Sequence, residues 1–422
     1  MARPFEGIRV LDVTHVLSGP FATYQLALLG ADVVRVEPVG DGDFVRHHGG
    51  DPTLGAVGMG ASFLCQNANK RSICLDLKSE KGVEIFKRLA QRSDVVVENS
   101  RPGVMDRLGI GYRDLLAVND GLVFCSITGY GQQGPWRAAP SYDHIVQGVS
   151  GMMSLTGTEA SGPLRVGYPI VDYVAGLLAA FAIASSLFQR SNGQRGRRGP
   201  TSQRIDVSML DAAIIMMAPY VSDCLLGGQP RGLSGNRAFS GSPFSGAFET
   251  ADGLLVVTAN TARQRKALCR ILGRPDLAED PRIDHASSPN DAAFSQDVAH
   301  FCRDAYRSRT AEEWEHTLSA VDVPAGKVRT IEEMLELPQL RARSLLQDVA
   351  CPELDRIVQV LNVGFELRNG PATIDRPPPA KGRDTCEILE ELNIDGQQIA
   401  ALESEGVVFV ANRQKTSAGH RT

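Results

Sequence analysis

Segments with strand patterning and segments with helix patterning alternate from residue 8 to residue 99, and this alternation restricts the fold most. The run IRVLDVT is short and apolar, FATYQLALLGA has apolar residues at helical spacing, and DVVRVEP is stopped by a proline. The segments RSICLDL, EKGVEIFKRLAQRS and DVVVENS repeat the order, and GLVFCSITGYG adds a strand. Strands that alternate with helices pair in parallel under helices on both faces. The sequence therefore predicts an α/β protein with a Rossmann-like, doubly wound parallel sheet.

The pattern changes in the second half of the chain. The stretch FETADGLLVVTA is typical of a hairpin, and several amphipathic helices follow it. We therefore predict a large α/β domain over residues 1–220, completed by residues 345–415, and a smaller α+β domain over residues 245–330. Residues 221–244 and 331–344 are the predicted linkers. The basic segment QRSNGQRGRRGPTSQR between two apolar elements is predicted to be a solvated loop.

Composition excludes several classes of protein. The chain has 422 residues, 43% of them hydrophobic and 22% charged, which is typical of a soluble globular protein. A net charge of -5 and a pI near 6.0 argue against nucleic acid as a partner. The eight cysteines form no CxxC pair, and no clean apolar run reaches the length of a membrane span. We expect a cytoplasmic protein with no membrane partner.

The sequence argues against three common kinds of catalytic site. The loop THVLSGPFA after the first strand lacks the GxGxxG pattern of dinucleotide-binding folds. The histidines are scattered, and the cysteines do not cluster with them at metal-ligand spacing. A GxSxG nucleophile elbow is missing as well. We therefore expect neither a metal nor a bound cofactor.

A single carboxylate stands at the start of the longest apolar run, VGYPIVDYVAGLLAAFAIASSLFQR. No residue between Asp172 and Arg190 is charged, which predicts a helix buried almost all round. Asp172 could simply cap this helix, because the helix dipole and free N–H groups stabilise an anion there. The same placement also suits a nucleophile held in its anionic form, with Gly167 and Gly176 leaving room for the backbone to approach a substrate. The residues alone leave both interpretations open.

Eight segments, taken together and in order, resemble one known family. They are GIRVLDVTHVLSGPFATYQLALLGADVVRVEP, NANKRSICLDLKSEKG, DVVVENSRPGVMDRLGIGY, SITGYGQQGPW, SYDHIVQGVSGMMSLTG, VDYVAGL, IDVSMLDA and CEILEEL. The family is that of the class III coenzyme A transferases, which includes formyl-CoA transferase and the carnitine and bile-acid CoA transferases. The resemblance covers nearly the whole chain.

The resemblance implies an acyl-CoA:carboxylate CoA-transferase. Its catalytic aspartate corresponds to Asp172, which would form an aspartyl-acyl anhydride and then an aspartyl-CoA thioester. The coenzyme A thioester would be a substrate, and neither ATP nor a metal would be needed. The resemblance also implies an interlocked homodimer, in which each chain threads through its partner.

The same resemblance implies where CoA binds. The family holds CoA at the carboxyl ends of the strands of the first domain, where Lys and Arg suit its phosphates and Asn suits its amides. The matching residues of this chain are His15, Val16, Asn69, Lys70, Arg71, Leu75, Asn99 and Arg107.

Departures from the motifs of related enzymes argue against two other reactions: racemisation of a 2-methylacyl-CoA, and CoA transfer between formate and oxalate. Acyl-CoA racemases place a histidine where this chain has Tyr142, whereas His144 lies two residues further on. Formyl-CoA transferases have Gln at the position of Leu17 and a run of glycines where this chain has SGSPFSG. The alternatives left open are a 2-methylacyl-CoA racemase, an intramolecular CoA transferase and a non-catalytic acyl-CoA-binding protein.

The opening segment is most similar to family members that act on C4 to C5 dicarboxylates. Succinate, mesaconate, itaconate and citramalate are acids of this kind. Such acids need a cation for their second carboxylate. The candidates for this cation are Arg46, Arg71 and Arg237.

Overall fold

The computed structural model describes residues 2–194, 202–228, 231–238, 240–285 and 292–411. Residues 195–201, the centre of the basic segment predicted to be a solvated loop, lie outside the described residues.

The chain forms two compact units. The first consists of Met1–Met152, Val166–Leu225 and Leu340–Thr422, and the second of Met153–Arg165 and Leu226–Gln339. Met153–Arg165 thus belongs to the second unit, although it lies within residues 1–220, which were predicted to form the large domain.

Fourteen strands occur in the described residues: β1 Arg9–Val13, β2 Asp32–Glu37, β3 Lys70–Leu75, β4 Val95–Glu98, β5 Val123–Thr128, β6 Gly157–Thr158, β7 Gly162–Pro163, β8 Gln203–Ser208, β9 Gly246–Glu249, β10 Leu254–Val257, β11 Ala325–Lys327, β12 Leu346–Cys351, β13 Arg356–Leu361 and β14 Val408–Phe409.

The α-helices of the described residues are α1 Ser18–Leu28, α2 Pro52–Ala56, α3 Ala61–Leu64, α4 Glu80–Gln91, α5 Val104–Arg107, α6 Tyr112–Leu116, α7 Asp143–Val149, α8 Met152–Leu155, α9 Ile170–Gln194, α10 Met209–Met216, α11 Ala218–Leu225, α12 Ala262–Ile271, α13 Pro275–Ala278, α14 Ala292–Tyr306, α15 Ala311–Ser319, α16 Ile331–Leu335, α17 Pro338–Ala342, α18 Thr385–Glu391 and α19 Gly396–Ser404. Short 3₁₀ helices are Phe44–His47, Pro281–His285 and Pro352–Leu354.

A seven-stranded sheet in the order β14-β3-β2-β1-β4-β5-β8 is the centre of the first unit. All neighbouring strands are parallel except β14, which pairs antiparallel with β3 at the edge. Every residue of β3, β4 and β5 is buried, as the near-continuous apolar runs of a parallel sheet require. The predicted α/β fold with a large parallel sheet is therefore confirmed.

Helix α9 carries Asp172 and packs against α1, β5 and β8 of the same unit. Val171, Ala175, Ala179, Ile183 and Leu187 form its buried stripe, with one buried residue in each turn. On other faces Leu177, Phe181 and Phe188 are at least half exposed. The predicted burial almost all round is wrong, because only one face of α9 meets the sheet and α1.

Among the described residues, α9 is also the helix with the length and hydropathy of a membrane span, at a mean hydropathy of 1.9 over Ile170–Asn192. Its packing into the first unit is that of a core helix.

The second unit is built around an antiparallel sheet in the order β11-β10-β9. The hairpin of β9 and β10 was predicted from the sequence. Phe244, Leu255, Tyr306 and Trp314 belong to a separate core between this sheet and helices α12, α14 and α15. This unit therefore has a hydrophobic core of its own.

Candidate active site

The loop after β1 is held by the side chains of Asp12, in β1, and Asn99, which follows β4. Asp12 Oδ1 accepts the backbone N–H of Thr14 at 3.0 Å. The N–H of His15 donates to Asn99 Oδ1 at 2.9 Å, and Asn99 Nδ2 donates to the His15 carbonyl oxygen at 2.7 Å. This loop lies at the carboxyl end of a central strand, where open α/β sheets bind their ligands.

Val16 of this loop has a left-handed backbone, with φ of 67°. A β-branched residue in that region is a true outlier and costs about 1–3 kcal/mol. Its N–H donates to Asp43 Oδ2 at 3.1 Å, and Gln66 Nε2 donates to its carbonyl oxygen at 2.7 Å. The surroundings thus enforce a strained conformation, which is a feature typical of functional loops.

Asp172 lies in the first turn of α9, and another carboxylate caps that helix. Asp143 Oδ2 accepts the N–H of Val171 at 2.7 Å and the N–H of Asp172 at 3.2 Å. The interpretation of Asp172 as the cap is therefore wrong. Because Asp143 satisfies these N–H groups, the Asp172 carboxylate is not used for capping.

Gly176 lies against α1 rather than against open space for a substrate. A Cβ atom at this position would lie 2.6 Å from the carbonyl oxygen of Ser18. The absence of a side chain thus lets α1 and α9 approach closely, with Ser18 beside the first turn of α9. The polar side chain of Ser18 is thus a neighbour of the Asp172 carboxylate.

The pKa of Asp172 is raised to about 7, chiefly because burial disfavours the charged form and secondly because Asp143 is negatively charged. The polar side chain of Ser18 lowers this pKa and so acts in the opposite direction. The expectation that the helix terminus stabilises the anion is therefore not met. A carboxylate with a raised pKa is more basic, and once ionised it is a stronger nucleophile.

A cavity of about 230 Å³ opens beside this carboxylate. It lies within the first unit, at the carboxyl ends of β1, β4 and β5. Its walls include His15, Val16, Ser18, Asn99, Arg101, Arg137 and Asp172. Three predicted CoA-binding residues and the predicted nucleophile thus line one cavity.

A second, larger groove of about 750 Å³ shares His15, Val16 and Ser100 with this cavity. Most of its wall is apolar and includes Val39, Leu77 and Met105, as well as the predicted residue Leu75. The two spaces together line the carboxyl ends of β1 to β5.

Lys70 and Arg71 are absent from the walls of both spaces. Lys70 is fully buried, and its Nζ contacts Asp12 Oδ2 at 3.1 Å and the Pro20 carbonyl oxygen at 2.8 Å. Arg71 pairs with Asp32 at 2.7 Å and with Glu391 at 2.5 Å. These cations neutralise carboxylates of the protein, so their predicted contact with CoA phosphates does not fit the structure.

Two further predicted residues lie elsewhere. Asn69 holds the chain near Arg376: its Nδ2 donates to the Thr373 carbonyl oxygen at 2.7 Å, and its Oδ1 accepts the N–H of Asp375 at 2.7 Å. Arg107 is exposed at the end of α5 and is not part of the wall of either space. Asn69 is therefore structural, whereas Arg107 is free to meet a ligand.

The candidate cations for a second substrate carboxylate also need correction. Arg46 is buried, and its Nη2 contacts Glu37 Oε1 at 2.6 Å. Arg71 is paired as described, and Arg237 belongs to the second unit. The cations that line the Asp172 cavity are Arg101 and Arg137.

Four residues of the site were not predicted from the sequence: Ser18, Asp143, Arg101 and Arg137. Asp143 lies in the segment SYDHIVQGVSGMMSLTG, directly after Tyr142, but its residue type alone does not predict a contact with the start of α9. Ser18 directly precedes Gly19-Pro20, and a proline in the first turn is a helix-start signal that could have placed Ser18 beside the ligand loop. Within the described ranges, no group of three His, Cys, Asp or Glu residues could hold a metal ion.

Comparison with known proteins assigns the chain to a family. The family model for "CoA-transferase family III" matches residues 5–385. The human succinyl-CoA:glutarate CoA-transferase is 33% identical over 409 residues, which cover 96% of this chain and 90% of that protein. The succinyl-CoA–D-citramalate CoA-transferase of Chloroflexus aurantiacus is 32% identical and covers 96% and 98%. The formyl-CoA:oxalate CoA-transferase of Streptomyces coelicolor is 33% identical and covers 96% and 100%.

A solved structure of a CAIB/BAIF family protein from Brucella suis is similar to this fold, with a TM-score of 0.78 and 28% identity. The match covers 93% of this chain and 100% of that one. The resemblance stated from the sequence motifs is thus confirmed over nearly the whole length. The chain belongs to family III of the CoA-transferases and is an enzyme that transfers CoA.

Proposed function

We propose that this enzyme moves CoA from an acyl-CoA to a dicarboxylic acid through covalent intermediates on Asp172. The observation that carries the proposal is the basic carboxylate of Asp172 in a cavity at the carboxyl ends of the sheet strands. In the first step a carboxylate oxygen attacks the thioester carbonyl carbon, the C–S bond breaks and the CoA thiolate leaves. The product is an aspartyl-acyl anhydride.

Three exchanges complete the cycle. The CoA thiolate attacks the Asp172 carbonyl carbon, the donor acid leaves as a carboxylate, and an aspartyl-CoA thioester remains. A carboxylate of the acceptor attacks this thioester, releases the thiolate and forms a second anhydride. The thiolate then attacks the acceptor carbonyl carbon, which yields the new acyl-CoA and regenerates the Asp172 carboxylate. Each step replaces one activated acyl group by another, so orientation and electrostatic stabilisation supply the catalysis.

The position of CoA is proposed from the two adjacent spaces, which share His15, Val16 and Ser100. We place the thioester in the Asp172 cavity and the nucleotide end in the apolar groove, with His15, Val16 and Asn99 at the entrance to the cavity. Arg107 is the proposed phosphate ligand, because Val104 and Met105 of the same helix line the groove.

The acceptor is proposed to be a dicarboxylate whose second carboxylate binds Arg137. Arg101 and Arg137 are both exposed, line the Asp172 cavity and form no ion pair in the described part of the chain. A free guanidinium suits a carboxylate because it can donate two parallel hydrogen bonds. The related enzymes named for glutarate and D-citramalate act on acids of this class.

Trapping of the covalent intermediate tests the mechanism. The enzyme is incubated with succinyl-CoA, quenched with hydroxylamine and digested, and the peptides are mapped by mass spectrometry. We expect a hydroxamate on Asp172 that depends on the acyl-CoA. An Asp172→Asn variant treated in parallel should give no label. A label on another residue, or none in the wild type, would overturn the mechanism.

Substitution of Arg137 tests the acceptor class. Arg137→Gln should raise KM for glutarate by about 10-fold or more, because one charged hydrogen bond is worth about 1.5–3 kcal/mol. KM for pentanoate, a monocarboxylate of the same length, should be unchanged. Arg113→Gln, on the exposed side of α6, is the matched control. Equal changes for both acids would exclude Arg137 as the ligand of the second carboxylate.

We also propose a homodimer, in line with the interlocked arrangement that the sequence resemblance implies. The exposed faces of α9 carry Phe181 at 71% and Phe188 at 66% exposure. Large apolar side chains grouped on a surface mark an interaction site, and a second copy is the occupant we propose. The variant Phe181→Glu/Phe188→Glu should elute as a monomer in light-scattering chromatography, whereas the wild type should be a dimer.

The cytoplasm is the proposed location. All eight cysteines are unpaired thiols, and five of them are buried, as is typical of proteins from reducing compartments.

A further inference from the structure

The segment that carries Asp172 is fixed by a buried pair of polar side chains on α7. Asp143 Oδ2 accepts the N–H groups of Val171 and Asp172, and its Oδ1 accepts Gln147 Nε2 at 2.5 Å. Gln147 is fully buried, and its Oε1 accepts the N–H of Val166 at 2.8 Å. The two side chains thus bind the chain at both ends of the segment 166–172.

This arrangement has one geometric and one electrostatic consequence. A carboxylate from a different helix satisfies the N–H groups at the start of α9, so Asp172 is left without a capping task. The same carboxylate places a buried negative charge next to Asp172, where water screens it poorly.

We propose that Asp143 is a positioning residue for CoA transfer: it orients the first turn of α9 and holds a buried negative charge beside the carboxylate of Asp172. The proposal rests on the proposed function of Asp172. It assigns to Asp143 no contact with the reacting atoms.

The charged and polar groups around Asp172 support an effect of the Asp143 charge on the Asp172 carboxylate. Asp143 approaches from α7, Ser18 from α1 and Tyr173 from α9 itself, while the cavity walls add His15, Arg101 and Arg137. Among these groups, Asp143 is the carboxylate that contacts the first turn of α9, where Asp172 lies. Burial and Asp143 together raise the pKa of Asp172, so loss of the Asp143 charge should lower it.

The test separates geometry from charge with two variants. Asp143→Asn keeps a side-chain oxygen for the two N–H groups but removes the charge. We expect the acid limb of kcat/KM to move to lower pH by about one unit, with a loss of about 10-fold in kcat at high pH. Gln147→Leu keeps the charge, so it should reduce kcat without moving the acid limb. Asp297→Asn, an exposed acid on α14, is the control.

The outcomes also separate this proposal from the function on which it rests. If hydroxylamine fails to label Asp172 in the wild type, the covalent mechanism fails. If the label is present but Asp143→Asn keeps the wild-type acid limb, only the role of Asp143 is overturned. Circular dichroism checks the fold of each variant. Should Asp143→Asn not fold, an unchanged kcat of Gln147→Leu would contradict the proposal, and a reduced kcat with an unmoved limb would support it.

Discussion

Two groups of carboxylates in the first unit have opposite electrostatic surroundings. Glu37 contacts Arg46, and although burial opposes it, the hydrogen bond and charge of Arg46 lower the pKa of Glu37 to about 2. Asp172 contacts no cation in the described part of the chain, and its pKa is raised to about 7 by burial and by Asp143. A paired carboxylate stabilises the fold, whereas an unpaired basic one beside a cavity is available for chemistry.

The ion-paired group also supports the structure of the candidate active site. It comprises Asp12, Arg35, Glu37, Asp43, Arg46 and Lys70, all of them buried. Asp43 pairs with Arg35 and also accepts the N–H of Val16. The network therefore holds the strained loop that forms one wall of the Asp172 cavity.

The largest effect should come from removing the unpaired carboxylate. Asp172→Ala is expected to lower kcat for CoA transfer by at least ~10⁴-fold, because the covalent route is lost. Steady-state assays of CoA exchange measure this, and Asp297→Ala should keep the wild-type rate. If Asp172→Ala retains more than about 1% of the wild-type activity, Asp172 is not the nucleophile, and the proposed catalytic role of the unpaired carboxylate is wrong.

Removing a charge from the ion-paired group should lower the free energy of unfolding. Lys70→Met leaves the buried Asp12 carboxylate without its Nζ partner, and we expect the free energy of unfolding to fall by about 3–5 kcal/mol. Urea unfolding followed by circular dichroism gives this value. Lys78→Met removes an exposed lysine nearby and should change it by no more than about 0.5 kcal/mol. Similar values for the two variants would argue against a structural role of the network.

Asp172 itself should weaken the fold as pH rises. The pKa of Asp172 is higher in the folded state than in the unfolded chain, so the unfolded state loses its proton first and stability falls until pH exceeds about 7. The Asp172→Asn variant has no carboxyl group at this position, so its free energy of unfolding does not fall for this reason. The difference in free energy of unfolding, variant minus wild type, should therefore grow by about 2 kcal/mol between pH 5 and pH 8. A constant difference between the two proteins would show that the folded pKa is not raised.

The smallest change in stability is expected at Val16, in the loop that lies between the ion-paired group and the Asp172 cavity. Val16→Asn should raise the free energy of unfolding by about 1 kcal/mol, because asparagine adopts a left-handed backbone more readily than a β-branched residue does. Val57→Asn, at an exposed position with ordinary backbone, is the control and should be neutral. Destabilisation by Val16→Asn would mean that the side chain contributes more than the strain costs.

Much of the architecture could be predicted because it depends on local patterns. The alternation of apolar strands with amphipathic helices determined the parallel sheet, and the hairpin of β9 and β10 followed from its own residues. The short edge strand β14 was missed, because two residues carry no periodic signal and pair with β3 only after the chain has returned to it.

The site was harder to predict, for physical reasons. A lysine or arginine in a motif has the same sequence signal whether it faces a phosphate or a buried carboxylate, so Lys70 and Arg71 were placed with CoA although they pair with Asp12, Asp32 and Glu391. The partner of a charge is set by residues far away along the chain.

By itself, the sequence determined the α/β class, the family and the identity of Asp172 as the exceptional carboxylate, since these depend on residue type and order. Tertiary structure alone decided that Asp143 caps α9, that Ser18 reaches Asp172, and that Arg137 lines the cavity. The capping contact joins residues 28 apart in sequence. Burial and charge at a site are sums over such distant neighbours, and only the folded chain brings them together.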